Sequence, residues 1–303
     1  MTKKTFKLGT RGSKLALWQS RYVSAQIRAQ HPHIEIEELV IKTTGDKFLD
    51  SNLFELGGKG AFLKEIEEAL LDCRVDFAVH SLKDVPAFLP EGLGLVAFLP
   101  REEASDVFLS FGENHFGQLK KGSVIGTSSL RRLIQLRQIR PDLQYKDLRG
   151  NIDTRLLKLQ RGEYDGIVLA YAGLKRLGLQ CPMMETLPTI SAVGQGAIVV
   201  EARLDDPTTR NLVRTLNDFS TAEATMAERV FMSVLGADCR VPVGCHVKLK
   251  EEKAVYRCFV AHPLGNPFVK KEGEVDRGQL IKTLAGLADE MLKLGATEWM
   301  GKK

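Results

Sequence analysis

The chain is poor in several things, and each shortage removes a class of function. It has five cysteines in 303 residues. That odd number, with no C-x-x-C pair, argues against a disulfide framework and against a zinc site. Its histidines are scattered without ligand spacing, so no metal centre is expected. No apolar run approaches the length that crosses a bilayer, and stretches such as Ile167-Val168-Leu169-Ala170 are typical of its longest. Met1 to Phe6 carries two lysines but no apolar core behind them, so no secretory signal is expected. Aromatic residues make up only 7%, and no helix-turn-helix or RNA-binding signature is present, which ranks a nucleic-acid binder last. Walker, G-x-S-x-G and dinucleotide fingerprints are also missing. These absences leave a globular protein of a reducing cytoplasm, with no membrane and no nucleic acid as partner.

What is present is unevenly placed charge. The net charge is +5. From Lys120 to Arg176 there are 13 Lys and Arg against 5 Asp and Glu, so the rest of the chain is net negative. A local positive field favours anions such as phosphates or carboxylates. The bland alternative for any single arginine is a solvated face.

Strands alternate with helices through most of the chain. Phe6 to Leu8, Ile34 to Ile41, Phe77 to Val79, Ser123 to Gly126, Gln144 to Leu148 and Gly166 to Ala170 read as strands. Amphipathic helical spacing follows at Leu15 to Ile27, Phe62 to Leu70, Leu130 to Leu136, Ile152 to Leu159, and around Leu174 and Leu177. That alternation predicts βαβ units and largely parallel sheets. Thr43 to Lys59 has no period and reads as a long loop. A short echo suggests duplication: Leu8-Gly9-Thr10 matches Ile125-Gly126-Thr127, and Asp76-x-x-Val79 matches Asp165-x-x-Val168. Ala192 to Ala197 reads as a glycine hinge into a strand from Ile198 to Glu201, which Leu204-Asp205-Asp206-Pro207 ends. Beyond Ser220 the texture changes to a helix over Ala224 to Leu235, strands Val241 to Leu249 and Val255 to Ala261, and a last helix from Gln279 to Leu294, a smaller α+β domain.

The most informative run is Asp76-Phe77-Ala78-Val79-His80-Ser81-Leu82-Lys83-Asp84-Val85-Pro86. An apolar strand meets a polar cluster, and Pro86 stops further pairing. In open α/β sheets, ligands bind beyond the carboxyl ends of strands. One carboxylate there, set against Arg131, Arg132, Arg149, Arg155 and Arg176, suggests acid–base chemistry on a substrate with several negative charges. Taken alone, a strand-end aspartate is more often a cap or an ion-pair partner. Cys239, in a turn before Val241, is either an accessible thiol or an inert small hydrophobe.

The segments Gly9-Thr10-Arg11-Gly12-Ser13-Lys14-Leu15-Ala16, Gly58-Lys59-Gly60-Ala61-Phe62 and His80 to Pro86 resemble those of the hydroxymethylbilane synthases, also called porphobilinogen deaminases. So do Gly126 to Arg132, Leu148-Arg149-Gly150-Asn151, Thr154-Arg155, Ala172 to Leu177, Gly194-Gln195-Gly196-Ala197 and Ala227-Glu228-Arg229. They follow the family's order over essentially the whole length.

The resemblance implies two domains like the halves of periplasmic binding proteins, with the active site in the cleft between them, and a smaller α+β C-terminal domain. Their expected bounds are 1–99 with 197–216, then 104–192, then 219–303. It implies stepwise head-to-tail condensation of four porphobilinogen molecules on a dipyrromethane cofactor, with loss of ammonia, then hydrolytic release of the linear tetrapyrrole. The cofactor is expected as a thioether on Cys239, where Ala237-Asp238 stands in place of the family's usual Gly-Gly. Asp84 is implied as the catalytic acid that also orients pyrrole N–H groups. Lys83, Ser81, Thr127, Ser129, Arg131, Arg132 and Arg155 are implied to hold the cofactor. Arg11, Ser13, Arg149, Gly150, Asn151, Arg176 and Gln195 are implied to bind substrate, with Lys59 and Phe62 in a lid. A monomer is expected. The physical logic agrees, because each pyrrole carries two carboxylates and arginine's planar fork suits them. A non-catalytic anion-binding protein of periplasmic type is the alternative, and intact mass separates it, since only the enzyme carries covalent pyrroles.

Overall fold

The computed structural model describes residues 4–44, 63–112, 114–236 and 241–299. Along the chain these form β1 (Lys4–Thr10), α1 (Lys14–Gln30), β2 (Ile34–Val40), α2 (Lys64–Leu71), β3 (Phe77–Ser81), β4 (Leu93–Phe98), β5 (Asp106–Ser110) and β6 (Val124–Gly126). Then come α3 (Leu130–Ile139), β7 (Gln144–Lys146), α4 (Ile152–Gln160), β8 (Gly166–Ala170), α5 (Tyr171–Leu177), β9 (Met183–Thr186), β10 (Ile198–Arg203) and α6 (Pro207–Arg214). The last part holds α7 (Phe219–Leu235), β11 (Val243–Leu249), β12 (Lys253–Ala261), β13 (Phe268–Asp276) and α8 (Leu280–Met291). They fall into two compact units, Met1–Glu102 with Ala197–Glu223, and Glu103–Gly196 with Ala224–Lys303.

The first unit is built on a five-stranded sheet in the order β2-β1-β3-β10-β4. β1 is parallel to β2 and β3, and β10 is antiparallel to both its neighbours. β3 alternates its side chains between two faces. Phe77 and Val79 pack with Val23 and Ile27 of α1, while Ala78 packs with Ile66, Ala69 and Leu70 of α2. Each of those buried Ile, Leu and Phe side chains contributes about 1.5–3 kcal/mol. Ser13 starts α1 by accepting a hydrogen bond from Ala16 N at 3.3 Å.

The second unit repeats this plan in the order β7-β6-β8-β5-β9. β6 is parallel to β7 and β8, and β5 is antiparallel to β8 and β9. The sequence echo has a physical basis here. Asp76 exchanges two hydrogen bonds with Lys7, backbone N to O at 2.8 Å and Lys7 N to Asp76 Oδ2 at 2.7 Å. Asp165 does the same with Val124, at 2.9 and 2.7 Å. Each aspartate registers the central strand of its sheet, β3 or β8, against its parallel neighbour, β1 or β6. The same unit carries an antiparallel three-stranded sheet, β11-β12-β13, packed on α7 and α8 through Phe231, Leu235, Cys258, Leu284 and Met291.

The sequence reading is corrected at two places. Asp206-Pro207 ends a strand but also starts α6: Asp206 accepts from Thr209 N at 3.0 Å, and proline occupies the first turn. The C-terminal sheet has a third strand, β13, whose charged residues alternate along an edge. Charge on an edge strand hides it from an apolar-pattern search.

Candidate active site

The first unit supplies a carboxylate on a short turn. β3 ends at Ser81, and Leu82–Asp84 form one turn of 3₁₀ helix, closed by Val85 N to Leu82 O at 3.0 Å. Leu82 N bonds Ala197 O at 3.0 Å, while Leu82 and Val85 are buried with Phe98 and Val199. The turn is therefore anchored on both sides of Lys83 and Asp84, which stay half-buried. Among the described residues no hydrogen bond or ion pair occupies the Asp84 carboxylate. Ser81 is held from the opposite face: Gln19 Nε2 donates to its hydroxyl at 2.8 Å, and that hydroxyl lies 3.2 Å from Gln19 Oε1. Arg11 follows β1 and is half-buried.

The second unit supplies guanidiniums, and a buried acid organises them. Asp106, fully buried at the start of β5, faces Arg131 and Arg132, which are 7% and 6% exposed at the start of α3. Arg131 Nη1 and Nη2 reach its two oxygens at 2.7 and 3.1 Å. Arg132 Nε donates at 2.9 Å. Thr189 Oγ1 and Gln195 Nε2 add bonds at 2.9 and 3.0 Å. The arginines also donate to Ile190 O and Val168 O. Burial opposes ionisation of Asp106, but the two guanidiniums and the bonds from Arg131 and Gln195 hold its carboxyl far below the usual carboxylate range. Burial also pulls Arg132 below its ordinary value, with Asp106 pulling the other way. One carboxylate against two guanidiniums leaves a surplus positive charge.

Arg149, Gly150 and Asn151 form the turn into α4. Gly150 has φ of +107°, and a Cβ there would meet Thr154 Cγ2 at 2.9 Å, so both backbone and space call for glycine. Its carbonyl accepts from Arg155 Nε at 2.7 Å. Arg149 pairs with the exposed Asp147 at 3.0 Å. Asn151 and Ser129 stand at the N-caps of α4 and α3 without side-chain cap bonds. Thr127 Oγ1 accepts from Ser129 N at 3.2 Å. Arg176 Nη2 donates to Gly196 O at 2.5 Å.

The structure thus groups Thr127, Ser129, Arg131 and Arg132 at the head of α3, and Arg149, Gly150, Asn151 and Arg155 at the head of α4. Gln195 is 1% exposed and faces Asp106 and the Ala104 carbonyl, at 3.0 and 2.6 Å. Lys59, Phe62 and Cys239 lie outside the described residues. Of the other cysteines, Cys245 and Cys258 are buried register partners across β11 and β12. No cluster of metal-ligating side chains occurs among the described residues. Sequence reading missed Asp106, Gln19 and Gln135, the last of which brackets Ile190 through its amide oxygen at 2.7 Å and amide nitrogen at 3.1 Å. The one available signal was an acid opening the apolar run Val107-Phe108-Leu109.

Solved structures similar to this chain include an ancestral cationic amino acid solute-binding protein, at 13% identity over 70% of this chain and 87% of that one, with a TM-score of 0.45. A periplasmic substrate-binding protein of an ABC transporter from Coxiella burnetii matches at 16% identity over 74% and 96%, with a TM-score of 0.44. The periplasmic VFT2 domain of BvgS from Bordetella pertussis matches at 11% over 75% and 92%, with a TM-score of 0.43. Residues 6–211 match the family described as porphobilinogen deaminase, dipyromethane cofactor binding domain, and residues 222–293 match the porphobilinogen deaminase C-terminal domain. A half-buried acid on a strand-end turn, an arginine-rich second sheet and these two successive matches place the chain in the porphobilinogen deaminase family, the hydroxymethylbilane synthases.

Proposed function

We propose that Asp84 and the arginines at the heads of α3 and α4 perform the chemistry that family membership assigns to this chain. That chemistry is a transferase reaction, the polymerisation of porphobilinogen on a dipyrromethane cofactor in tetrapyrrole biosynthesis. When bound, the dipyrromethane supplies the covalent primer on which the pyrrole chain grows.

The donor set fits a group rich in carboxylates. An arginine has five N–H donors. Arg131 uses three hydrogen bonds on Asp106 and Ile190, so N–H groups remain for a ligand. Arg131, Arg132 and Arg155, with Lys83, Ser81, Thr127 and Ser129, would hold the cofactor's acetate and propionate groups, and Cys239 would carry the thioether. Arg11, Arg149 and Arg176, with Ser13, Gly150, Asn151 and Gln195, would bind the substrate's carboxylates, Lys59 and Phe62 shielding it. We assign these roles within domains 1–99 with 197–216, 104–192 and 219–303. The protein is inferred to act as a cytoplasmic monomer on a small molecule, with neither nucleic acid nor membrane as partner. No described helix is long and apolar enough to cross a membrane.

The observation that supports the catalytic role is the Asp84 carboxylate itself: half-buried, fixed by an anchored turn, and with no partner taken among the described residues. Such a group can protonate a departing amine and then balance the positive charge left on the substrate pyrrole. Asp84→Asn keeps the shape but loses proton and charge, and should slow the chemical step by about 10²–10⁴-fold. Asp84→Glu keeps the charge displaced by one methylene and should retain part of the rate. Single-turnover kinetics on both variants, each first shown by intact mass and peptide mapping to carry pyrroles on Cys239, tests the assignment. Equal rates for Asn and Glu would reduce Asp84 to a structural cap, and an adduct on another cysteine would move the attachment site.

A further inference from the structure

After β9 the chain runs without regular secondary structure, yet Leu187, Thr189, Ile190 and Ser191 are buried there. Buried backbone must find partners for its N–H and C=O groups. At Ile190 one side chain serves both. Gln135 of α3, 6% exposed, accepts from Ile190 N through Oε1 at 2.7 Å, and its Nε2 donates to Ile190 O at 3.1 Å. A primary amide carries a donor and an acceptor side by side, so Gln135 pairs with Ile190 much as a residue of a neighbouring strand would. Nε2 also donates to Arg131 O, one helical turn earlier, at 3.1 Å. The Ile190 side chain packs with Ile134 of α3 and Phe259 of β12, so this short segment is held by its side chain as well as by its backbone.

The second donor to the Ile190 carbonyl is Arg131 Nη1, at 2.6 Å. A guanidinium can meet a carboxylate end-on, through Nη1 and Nη2, or side-on, through Nε and Nη2. Asp106 receives one arginine in each way. Arg132 lies side-on, with Nε and Nη2 both 2.9 Å from Oδ1. Arg131 lies end-on, with Nη1 and Nη2 at 2.7 and 3.1 Å from the two oxygens. The end-on register uses both hydrogens of Nη1 and one of Nη2. Among the described residues nothing takes the Nε hydrogen or the second Nη2 hydrogen. These two donors form a single edge that matches a carboxylate. Were Arg131 to turn side-on like its neighbour, Asp106 would consume that edge. The Ile190 carbonyl opposes the turn because it holds Nη1 in place. Thr189, in the same segment, donates to Asp106 Oδ2 at 2.9 Å and steadies the acid.

We propose that Gln135 is a positioning residue: by fixing the Ile190 carbonyl it keeps Arg131 end-on to Asp106, and so reserves the Nε–Nη2 edge of Arg131 for a carboxylate of the dipyrromethane cofactor. Gln135 touches no ligand in this arrangement and acts through Ile190 and Arg131. The inference rests on the reading of Arg131 as a residue that holds the cofactor.

The test reads, for each purified variant, the fraction of protein that carries pyrroles by intact mass and the melting temperature of the same preparation. Gln135→Met keeps the length of the side chain and removes both amide groups. Its loaded fraction should fall about fivefold, the factor that one net hydrogen bond is worth. Gln135→Glu keeps the acceptor for Ile190 N but sets an oxygen against Ile190 O, and should lose loading as well. Ile134→Val trims the apolar packing beside Ile190 and keeps every hydrogen bond, so it should lower the melting temperature and leave loading intact. Loading that follows melting temperature across the set, and not the presence of the amide, overturns the proposal. So does a failure of both Gln135 variants to fold while Ile134→Val folds, because Gln135 is then structural. Arg131→Leu separates the two readings. If it stays fully loaded, the assignment of Arg131 to the cofactor fails. If it is empty while Gln135→Met is fully loaded, that assignment stands and the role of Gln135 falls.

Discussion

Both five-stranded sheets bury a carboxylate on their antiparallel strand, and the two solve the resulting problem in opposite ways. Asp106 on β5 has more cation than it needs, two guanidiniums and two neutral donors, and stays ionised. Glu201 on β10 faces a single imidazole, His80 Nε2 at 3.0 Å, and the neighbouring Glu67, whose carboxyl is pushed up to about 7 by burial and by Glu201. The difference is in the base. A guanidinium cannot shed its proton, whereas an imidazole can at physiological pH. An excess of permanent cations suits a sheet proposed to hold polyanionic pyrroles. A titratable carboxyl lies against the sheet proposed to hold a single reactive acid. One topology, used twice, serves two electrostatic purposes.

The contrast is open to direct attack. Asp106→Asn should do most damage to stability, about 3–5 kcal/mol, because it strands two buried guanidiniums. Glu201→Gln should cost about 1 kcal/mol or less, since it also removes the like charge beside the buried Glu67. Urea unfolding of the two variants side by side decides this, and equal losses would erase the distinction. Next in size is Arg149→Leu, which removes a charge-assisted carboxylate contact worth about 1.5–3 kcal/mol. Turnover should drop roughly 10- to 100-fold with the melting temperature unchanged, and near-normal activity would show a solvated face only. The pH profile of stability sharpens the comparison further. Asp106 is depressed in the folded state, so its contribution is whole above its unfolded value near 4 and is lost as pH falls below it. Glu67 is raised, so its contribution is whole below 4.5 and is lost as pH rises through about 7. Melting temperatures across pH should therefore lose their alkaline decline in Glu67→Gln and keep it in Asp106→Asn. The smallest effect belongs to Gln19→Ala, which frees the Ser81 hydroxyl at about 1 kcal/mol. A severalfold drop in the fraction of enzyme that carries pyrroles, read by intact mass, would identify Gln19 as a positioning residue, and an unchanged fraction would deny it that role.

Much of the scaffold was legible because its signals are local. β8 runs from Gly166 to Ala170, the very residues its apolar run and flanking turn marked, and the Ser129 start of α3 was visible as a polar run before apolar spacing. The Asp84 turn was equally plain, an apolar strand halted by Pro86. The buried partners were not legible, because they join distant parts of the chain. Asp106 lies 25 residues before Arg131 in sequence, and nothing local distinguishes an arginine that bends into a core from one that faces solvent. Arg131 and Arg132 are adjacent on a helix, so their side chains leave it about 100° apart, yet both reach one carboxylate. β4, β5 and β9 escaped notice because short strands without clear alternation resemble loops. Glu67, His80 and Glu201 likewise come from three separate elements, α2, β3 and β10.

The sheet order also dictates when each half can be finished during synthesis. β10 is the strand that lies between β3 and β4, yet it begins at Ile198, while β4 ends at Phe98. A ribosome adding about 5–20 residues per second emits β4 with no strand to pair with for about 5–20 s. The second sheet has a shorter wait, since β5 ends at Ser110 and its first partner, β8, begins at Gly166. The half made first is thus the half completed last, and Leu93–Phe98 is the segment most in need of a chaperone while the chain is still growing.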